Sequence, residues 1–155
     1  MVDIGKAVPA YKLLATGDQK ISLREFKGKY LLVFFYPKDN TPGCTREGQD
    51  FRDQYKAFKK LNCELLGVSR DSIKSHENFR AKHDFPFDLL SDPDEKLCQA
   101  FGVIRQKKLY GRTFMGVVRS TFLIGPDSKL RHEWRNIKVP GHVDKVLATL
   151  RSELS

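Results

Sequence analysis

A cysteine stands where it could act as a nucleophile. Cys44 follows a short polar loop, residues 38–43, which comes directly after an apolar run, and a helical pattern starts beside it. The first turn of a helix has free backbone N–H groups and the positive end of the helix dipole, and both favour a negative charge. This position therefore favours the thiolate, the reactive form of cysteine. A small, buried, apolar side chain fits the same position, so position alone leaves both interpretations open.

The apolar patterns predict the elements that must position Cys44. Leu31–Tyr36 is an unbroken run of six apolar residues, which is typical of a central strand covered on both faces. Pro37 ends this run. Beyond the loop, apolar or small residues recur at spacings of four, three, four and three, which predicts one face of a helix: Cys44, Gly48, Phe51, Tyr55 and Phe58.

A second helix is predicted after a capping signal. Asp92 is the expected cap, and Pro93 fits the first helical position. Glu95 is expected to reach back to the cap, and Gly102 to end the segment.

The remaining patterns predict alternating strands and helices. They comprise an early hairpin at Leu13-Leu14 and Ile21–Leu23, a strand at Glu64–Ser69, a helix from Asp71 to His83, a strand at Phe87–Leu90, a hairpin of Ser120–Ile124 with Leu130–Trp134, and a C-terminal helix over Val143–Leu154. This order predicts an α/β fold with a mixed central β-sheet flanked by helices. We expect a single domain over residues 1–155.

The composition argues against disorder and against a membrane protein. Of the 155 residues, 40% are hydrophobic and 30% are charged, so the chain can build a core. The longest apolar run has six residues, whereas a bilayer-spanning helix needs about 20. The first residues also lack the apolar stretch of a secretory signal. We therefore expect a cytoplasmic protein without membrane association.

The charge is positive and unevenly distributed. The chain has 28 Lys and Arg against 19 Asp and Glu, a formal net charge of +9, and no acidic residue occurs from Lys96 to Pro126. Such a stretch could bind nucleic acid, but Tyr110 and Phe114 are its only evident stacking aromatics. We expect this stretch to be a loop flanking the Cys44 site and expect no nucleic-acid partner; a basic nucleic-acid-binding protein remains the alternative.

Five residues together form a recognisable pattern. Pro37, Thr41, Cys44 and Glu47, combined with Arg119 before the apolar segment Ser120–Ile124, closely resemble the peroxiredoxins, and in particular the Q type, also called the bacterioferritin comigratory protein family. This resemblance covers almost the whole chain. It implies a thioredoxin-like fold and the reduction of hydrogen peroxide and organic hydroperoxides by a cysteine thiolate, without metal, haem or flavin.

The resemblance also implies a role for each residue. Cys44 attacks one peroxide oxygen, and negative charge moves from sulfur along the O–O axis. Arg119 can hold the thiolate and bind the peroxide, because its guanidinium keeps its charge and offers several donors. Thr41 can position the peroxide, while the backbone N–H groups of Gly43 and Cys44 stabilise the moving charge.

Two further residues support this arrangement. Pro37 would shield the sulfur and shape the loop without a competing N–H group. Glu47 lies one helical turn after Cys44 and is placed to orient Arg119. The alternative for Glu47 is an ordinary acidic residue in the first turn of the helix, favoured by the dipole.

The chain departs from the family in its other cysteines. Many members carry a second, resolving cysteine five positions after the first, where this chain has Gln49, or in the following helix, where it has none. Cys98 and Cys63 are possible resolving thiols, but we expect both to be buried spectators. The hypothesis is a one-cysteine mechanism in which thioredoxin, glutaredoxin or glutathione reduces the Cys44 sulfenic acid. The resemblance favours a monomer, with a dimer as the alternative.

Several other functions compete with this hypothesis. A thioredoxin-type disulfide exchanger needs Cys-x-x-Cys, and Thr41 occupies its first position. A cysteine hydrolase would pair Cys44 with a histidine, for which His132 or His142 could be nominated. A peroxide sensor would use the same Cys44 chemistry with a different partner. No Cys/His spacing resembles a metal site.

Overall fold

Nine strands and five helices follow one another in a computed structural model that describes residues 1–155. The strands are β1 (Leu13–Ala15), β2 (Gln19–Ile21), β3 (Tyr30–Phe35), β4 (Cys63–Ser69), β5 (Asp88–Ser91), β6 (Ile104–Leu109), β7 (Arg112–Val117), β8 (Ser120–Ile124) and β9 (Leu130–Trp134). The helices are α1 (Pro42–Asp53), α2 (Tyr55–Lys60), α3 (Ile73–His83), α4 (Lys96–Ala100) and α5 (His142–Leu154), with a short 3-10 helix at Leu23–Phe26.

Seven of the strands form one mixed sheet in the order β2-β1-β5-β4-β3-β8-β9. β3 lies parallel to β4 and antiparallel to β8, and all six of its residues are buried. This burial explains why its sequence is apolar without alternation. The predicted α/β fold with a mixed central sheet flanked by helices is confirmed.

The sheet separates two apolar clusters. Successive residues of a strand point to opposite faces, so Val33 and Phe35 pack in one cluster while Leu32 and Phe34 pack in the other. The first cluster contains Cys98. The second contains Cys44 and lies on the side of α1 and α5. None of the helices has the length and hydropathy that a membrane span requires.

The helix after the apolar run is interrupted. α1 ends at Asp53 and α2 starts at Tyr55, with Gln54 at the junction. Phe51 and Phe58, one on each helix, are both completely buried. The predicted apolar face is therefore present, but two short helices carry it.

The capping prediction at Asp92 was wrong in its details. The helix starts at Lys96, three residues later than predicted, because Glu95 adopts a left-handed backbone conformation with φ 61°. Asp92 still satisfies a helix N–H group, since its Oδ2 accepts from the backbone N of Cys98 at 2.8 Å. Pro93 precedes the helix, and Glu95 accepts from Arg70 Nη1 at 2.9 Å instead of reaching back.

The predicted loop in the basic stretch is instead a hairpin. β6 and β7 pair in full antiparallel register as a separate two-stranded sheet. Tyr110 and Gly111 form the turn, both with positive φ, which is the geometry of a tight two-residue hairpin. The strand pattern was obscured because most of the residues in both strands are exposed, so no apolar face repeats with period two.

Candidate active site

Cys44 lies in the first turn of α1, just beyond the carboxyl end of β3. The sequence builds this helix start with Thr41, whose extended backbone (φ −86°, ψ 153°) makes it the N-cap, and with Pro42 at the first helical position. The side chain of Cys44 packs in the apolar cluster between the sheet and the helices, and the residue is only 2% exposed.

Two backbone donors beside the sulfur are free. The first helical hydrogen bond runs from the N–H of Thr45 to the carbonyl of Thr41 at 2.9 Å. The N–H groups of Gly43 and Cys44 precede it and donate to no group of the protein. These N–H groups can therefore donate hydrogen bonds to an anion, or to negative charge that develops at the sulfur.

Arg119 connects the sulfur to a buried carboxylate. It lies between β7 and β8, where its own carbonyl accepts from the backbone N of Ile137 at 3.0 Å. Its Nη2 lies 3.4 Å from Cys44 Sγ, and its Nη1 lies 2.7 Å from Glu47 Oε1. Burial alone would lower the pKa of Arg119, but the charges of Glu47 and Cys44 raise it above its ordinary value. The guanidinium therefore stays charged beside the sulfur.

Glu47 is a completely buried carboxylate. It lies one turn after Cys44, and burial raises its pKa from 4.5 to about 7 although Arg119 acts in the opposite direction. Oε1 accepts the bond from Arg119, whereas Oε2 is buried without any partner. The alternative of an ordinary acid in the first helical turn is wrong, because that turn contains no acidic residue.

A glycine allows the guanidinium to approach. A Cβ atom placed on Gly43 would lie 3.0 Å from Arg119 Nη2, closer than ordinary van der Waals contact. The missing side chain thus leaves the space that the Arg119 guanidinium occupies beside the sulfur.

The loop before the helix contributes a hydroxyl and a proline. Thr41 Oγ1 donates to the carbonyl of Lys38 at 2.8 Å and does not cap the helix. Since its hydrogen is used in this way, the oxygen can act as an acceptor towards a bound O–H group. Pro37, which ends the apolar run, is half-buried.

A buried polar network holds this loop, and the sequence analysis did not find it. Asp39 accepts from Tyr36 Oη at 2.7 Å and from Ser75 Oγ at 2.8 Å. His76, completely buried on α3, places Nδ1 2.7 Å from Asp39 Oδ2 and donates from Nε2 to the carbonyl of Leu90 at 2.9 Å. Both ring nitrogens of His76 thus face oxygen atoms. The only sequence signal was a histidine on an otherwise weakly amphipathic helix.

This network also brings together three groups of the type that bind metals. Ligand atoms of Asp39, Asp71 and His76 lie within 4.8 Å of one another. However, Asp71 Oδ2 already accepts from the backbone N of Asp39 at 2.9 Å and from the hydroxyl of Ser69. The cluster therefore has a structural explanation, which is to fix the loop between β3 and α1.

The other two cysteines lie away from Cys44. Cys63 pairs with Tyr30 at the start of β3, whereas Cys44 follows the end of that strand. β3 rises about 3.3 Å per residue, so the end of β3 that precedes Cys44 lies roughly 16 Å along the strand from the position that pairs with Cys63. Cys98 lies in the apolar cluster on the opposite face of the sheet. Burial raises the pKa of both thiols, that of Cys63 to about 12.

The two histidines nominated for a hydrolase are engaged elsewhere. His132 Nε2 lies 3.0 Å from Glu153 Oε2, and His142 Nε2 lies 2.9 Å from Thr121 Oγ1. Burial lowers the pKa of His142 to about 4. Neither ring forms a hydrogen bond with Cys44, whose side chain bonds to Arg119.

The comparisons with known proteins agree with this geometry. The AhpC/TSA family matches residues 4–133. Peroxiredoxin Bcp of Xanthomonas campestris is 50% identical over 140 residues, covering 90% of this chain and 88% of that protein. Peroxiredoxin Bcp of Bacillus subtilis is 45% identical over 150 residues, covering 97% of this chain and 96% of that protein.

Solved structures give the same result. The bacterioferritin comigratory protein of Xanthomonas campestris, described for its alkyl peroxide reduction activity, superposes with a TM-score of 0.92 at 46% identity and covers 99% of this chain and 100% of its own. A Q-type peroxiredoxin variant of Xylella fastidiosa reaches a TM-score of 0.95 at 42% identity, covering 100% and 99%. The chain therefore belongs to the AhpC/TSA family and, within it, to the thiol-dependent peroxidases known as Q-type or bacterioferritin comigratory peroxiredoxins.

Proposed function

We propose that this chain reduces hydrogen peroxide and organic hydroperoxides with Cys44 as the attacking nucleophile. The Cys44 thiolate attacks one peroxide oxygen, so that an S–O bond forms while the O–O bond breaks. The other oxygen leaves as hydroxide or alkoxide and takes up a proton. The sulfur is oxidised to a sulfenic acid, and the peroxide is reduced to water or an alcohol.

The residues around the sulfur suit this movement of charge. Arg119 would stabilise the thiolate and donate to the bound peroxide, and Glu47 would hold the guanidinium in place. The acceptor oxygen of Thr41 would receive the peroxide O–H group. The free N–H groups of Gly43 and Cys44 would stabilise negative charge as it moves away from the sulfur. Pro37 would shield the sulfur from water on the side of the loop.

One observation carries this proposal. A single guanidinium reaches both Cys44 Sγ, at 3.4 Å, and the buried carboxylate of Glu47, at 2.7 Å. A merely structural cysteine on the inner face of α1 would not require a buried charge at its sulfur, because burying charged groups is costly. Catalysis by a thiolate does require one.

We propose that the mechanism uses one cysteine and an external thiol. A disulfide needs Cα atoms within about 7 Å, whereas Cys63 lies at the far end of the strands and Cys98 lies beyond the sheet. An external thiol would attack the sulfenic acid, release water and form a mixed disulfide. A second thiol would then release the Cys44 thiolate. Thioredoxin, or glutaredoxin with glutathione, would supply these thiols.

The remaining expectations form part of the same proposal. We propose that residues 1–155 work as one domain and as a monomer, with a dimer as the alternative. All three cysteines are free thiols, which suits a reducing compartment such as the cytoplasm, where the external thiols are also found.

Peroxide consumption under two reducing systems tests the proposal. The wild type is compared with Cys44→Ser, Cys63→Ser and Cys98→Ser, using either thioredoxin with its reductase or glutaredoxin with glutathione. Only Cys44→Ser should abolish turnover in both systems. Loss of turnover in Cys98→Ser or Cys63→Ser, with folding intact by circular dichroism, would overturn the one-cysteine mechanism. Activity that survives in Cys44→Ser would overturn the assignment of the nucleophile.

A further inference from the structure

The β6–β7 hairpin carries a lysine whose side chain reaches the active site. Lys107 lies on β6 opposite Phe114 of β7, and its Nζ donates to the backbone carbonyl of Val117, further along β7, at 2.5 Å. Arg119 follows two residues later. The ammonium group therefore binds the chain just before the arginine that contacts Cys44 Sγ.

A glycine makes room for this lysine. Gly116 directly precedes Val117 on β7 and is buried. A Cβ atom placed on Gly116 would lie 2.9 Å from Lys107 Cδ and 3.3 Å from its Cε, closer than ordinary van der Waals contact. The stem of Lys107 thus crosses β7 where a side chain is missing, and it carries the ammonium group towards the base of the hairpin and away from the exposed turn.

The charges of Lys107 and Cys44 interact. Lys107 is half-buried, and burial together with the charge of Arg119 lowers the pKa of Lys107, whereas the charge of a Cys44 thiolate raises it. Arg70 is the third charged group that faces Lys107, and it also lowers the pKa. No carboxylate pairs with Lys107, whose ammonium group bonds to a backbone carbonyl.

The two arginines of this group are balanced by carboxylates. Arg119 Nη1 lies 2.7 Å from Glu47 Oε1, and Arg70 Nη1 lies 2.9 Å from Glu95 Oε2. When Glu47 is ionised, its pair with Arg119 carries no net charge, so it stabilises a neighbouring thiolate less than a free guanidinium would. The ammonium group of Lys107 is then the uncompensated positive charge beside the sulfur.

We propose that Lys107 supplies the positive charge that stabilises the Cys44 thiolate while Glu47 neutralises Arg119. A nearby opposite charge favours the ionised form of a thiol, so Lys107 increases the fraction of Cys44 that can attack a peroxide near neutral pH. It acts through its charge, since it bonds to the backbone and not to the sulfur. The effect on peroxide reduction rests on the proposed function, whereas the ionisation of Cys44 can be measured without turnover.

The test follows the thiolate absorbance near 240 nm between about pH 4 and pH 9. Each protein is compared with the same protein carrying Cys44→Ser, so that the difference isolates the signal of Cys44. Lys107→Met should move the midpoint of this signal at least about half a pH unit higher, because a positive charge is lost. Lys107→Arg keeps the charge and should restore the midpoint.

Two further variants separate the charge from other effects. Lys107→Gln keeps a donor for the Val117 carbonyl but loses the charge, so it should behave like Lys107→Met. Lys108→Met is the matched control, because Lys108 is exposed and points to the opposite face of the same strand. It should leave the midpoint unchanged.

The rate constant for peroxide provides a second readout. Below the midpoint, Lys107→Met should react at least about threefold more slowly than the wild type, and well above it the two rates should converge, because Cys44 is then ionised in both. A structural role would slow the variant at every pH. An unchanged midpoint in Lys107→Met, an equal shift in Lys108→Met, or no restoration by Lys107→Arg would overturn the inference. A shifted midpoint in a protein that does not consume peroxide would contradict only the proposed function.

Discussion

Glu47 and Arg119 form an ion pair in which the carboxylate is completely buried and uses only one of its oxygens. The guanidinium also contacts the sulfur of Cys44, so the pair couples a buried acid to the thiol. Removing two charges from water is costly, and pairing alone repays that cost only when the remaining polar atoms are satisfied. Here the second oxygen of Glu47 remains unsatisfied. The pair therefore lowers the stability of the fold while it holds Arg119 beside Cys44.

That cost should appear as a pH dependence of stability. Below about pH 4.5 the Glu47 carboxyl is protonated in the folded and the unfolded chain. Between 4.5 and the raised pKa of about 7 the unfolded chain releases the proton first, so the free energy of unfolding falls as the pH rises. The difference between the two pKa values corresponds to about 3 kcal/mol.

Glu47→Gln removes the titrating carboxyl and therefore its contribution to the pH dependence of the free energy of unfolding. We therefore expect the variant to gain about 3 kcal/mol relative to the wild type between pH 4 and pH 8, measured by urea unfolding. Glu77→Gln, at an exposed position, is the control and should track the wild type at every pH. A constant difference between Glu47→Gln and the wild type over this range would contradict the raised pKa.

Gly43→Ala should slow the reaction with peroxide by displacing Arg119. The added Cβ lies 3.0 Å from Nη2, so the guanidinium must move by a few tenths of an ångström. We expect kcat/KM for peroxide to fall about tenfold, since catalysis is sensitive to the placement of a donor. A double-mutant cycle with Arg119→Met isolates the cause. If Gly43→Ala costs the same factor when Arg119 is absent, the effect does not pass through the guanidinium.

Thr41→Val tests the acceptor oxygen at nearly constant shape. The variant keeps the branched side chain but loses the hydroxyl that now bonds to the carbonyl of Lys38. We expect a loss of about 10²-fold in kcat/KM for peroxide, in the range found when one active-site hydrogen-bonding group is removed. Thr41→Ser should restore most of the activity. Equal losses in both variants would point to the methyl group and not to the hydroxyl.

Asp39→Asn should destabilise the loop before α1. The carboxylate faces Tyr36, Ser75 and His76 in a buried network, and each buried group left without its hydrogen-bond partner costs about 1–3 kcal/mol. We expect a loss of about 3 kcal/mol in the free energy of unfolding, with a lower kcat/KM for peroxide. Asp94→Asn removes the same charge from an exposed position and should have no effect on either measurement.

Mass spectrometry of peroxide-treated protein should find oxidised Cys44 without an internal bridge. After one equivalent of peroxide, a dimedone adduct is expected on Cys44 alone, because Cys44 has the Arg119 guanidinium beside it whereas the pKa of each of the other two thiols is raised. In a parallel sample without dimedone, glutathione added after the peroxide should attack the Cys44 sulfenic acid, release water and form a mixed disulfide. A Cys44–Cys98 or Cys44–Cys63 bridge as the main product would contradict the one-cysteine mechanism.

Much of the site follows from local signals that sequence carries well. The run Leu31–Tyr36 marks the central strand because a strand covered on both faces has no polar side. Cys44 follows from the helix start, and the distant Arg119 followed only from the resemblance to the peroxiredoxins. No local pattern connects it to a cysteine 75 positions earlier in the chain, yet the fold places the two in contact.

Other features depend on contacts that no local pattern encodes. The helix at Asp92 starts late because the backbone of Glu95 is left-handed, and this conformation accompanies an ion pair with Arg70, 25 residues earlier. The β6–β7 hairpin was missed because most of its residues are exposed, so its sequence has no alternation of apolar and polar residues that would predict a strand. The network around Asp39 joins the loop to α3 and β5, so only the folded chain reveals it.

Because the sheet divides the two apolar clusters, the chain has two buried cysteines that should become accessible to a reagent at different rates. Cys44 lies at a helix start, so a thiol reagent can reach it through local opening of one turn. Cys98 lies on α4 in the apolar cluster on the other face of the sheet and is fully buried. We therefore expect its labelling to require unfolding of that cluster. The rates at which one thiol reagent labels the two positions in one sample therefore report local and global opening separately.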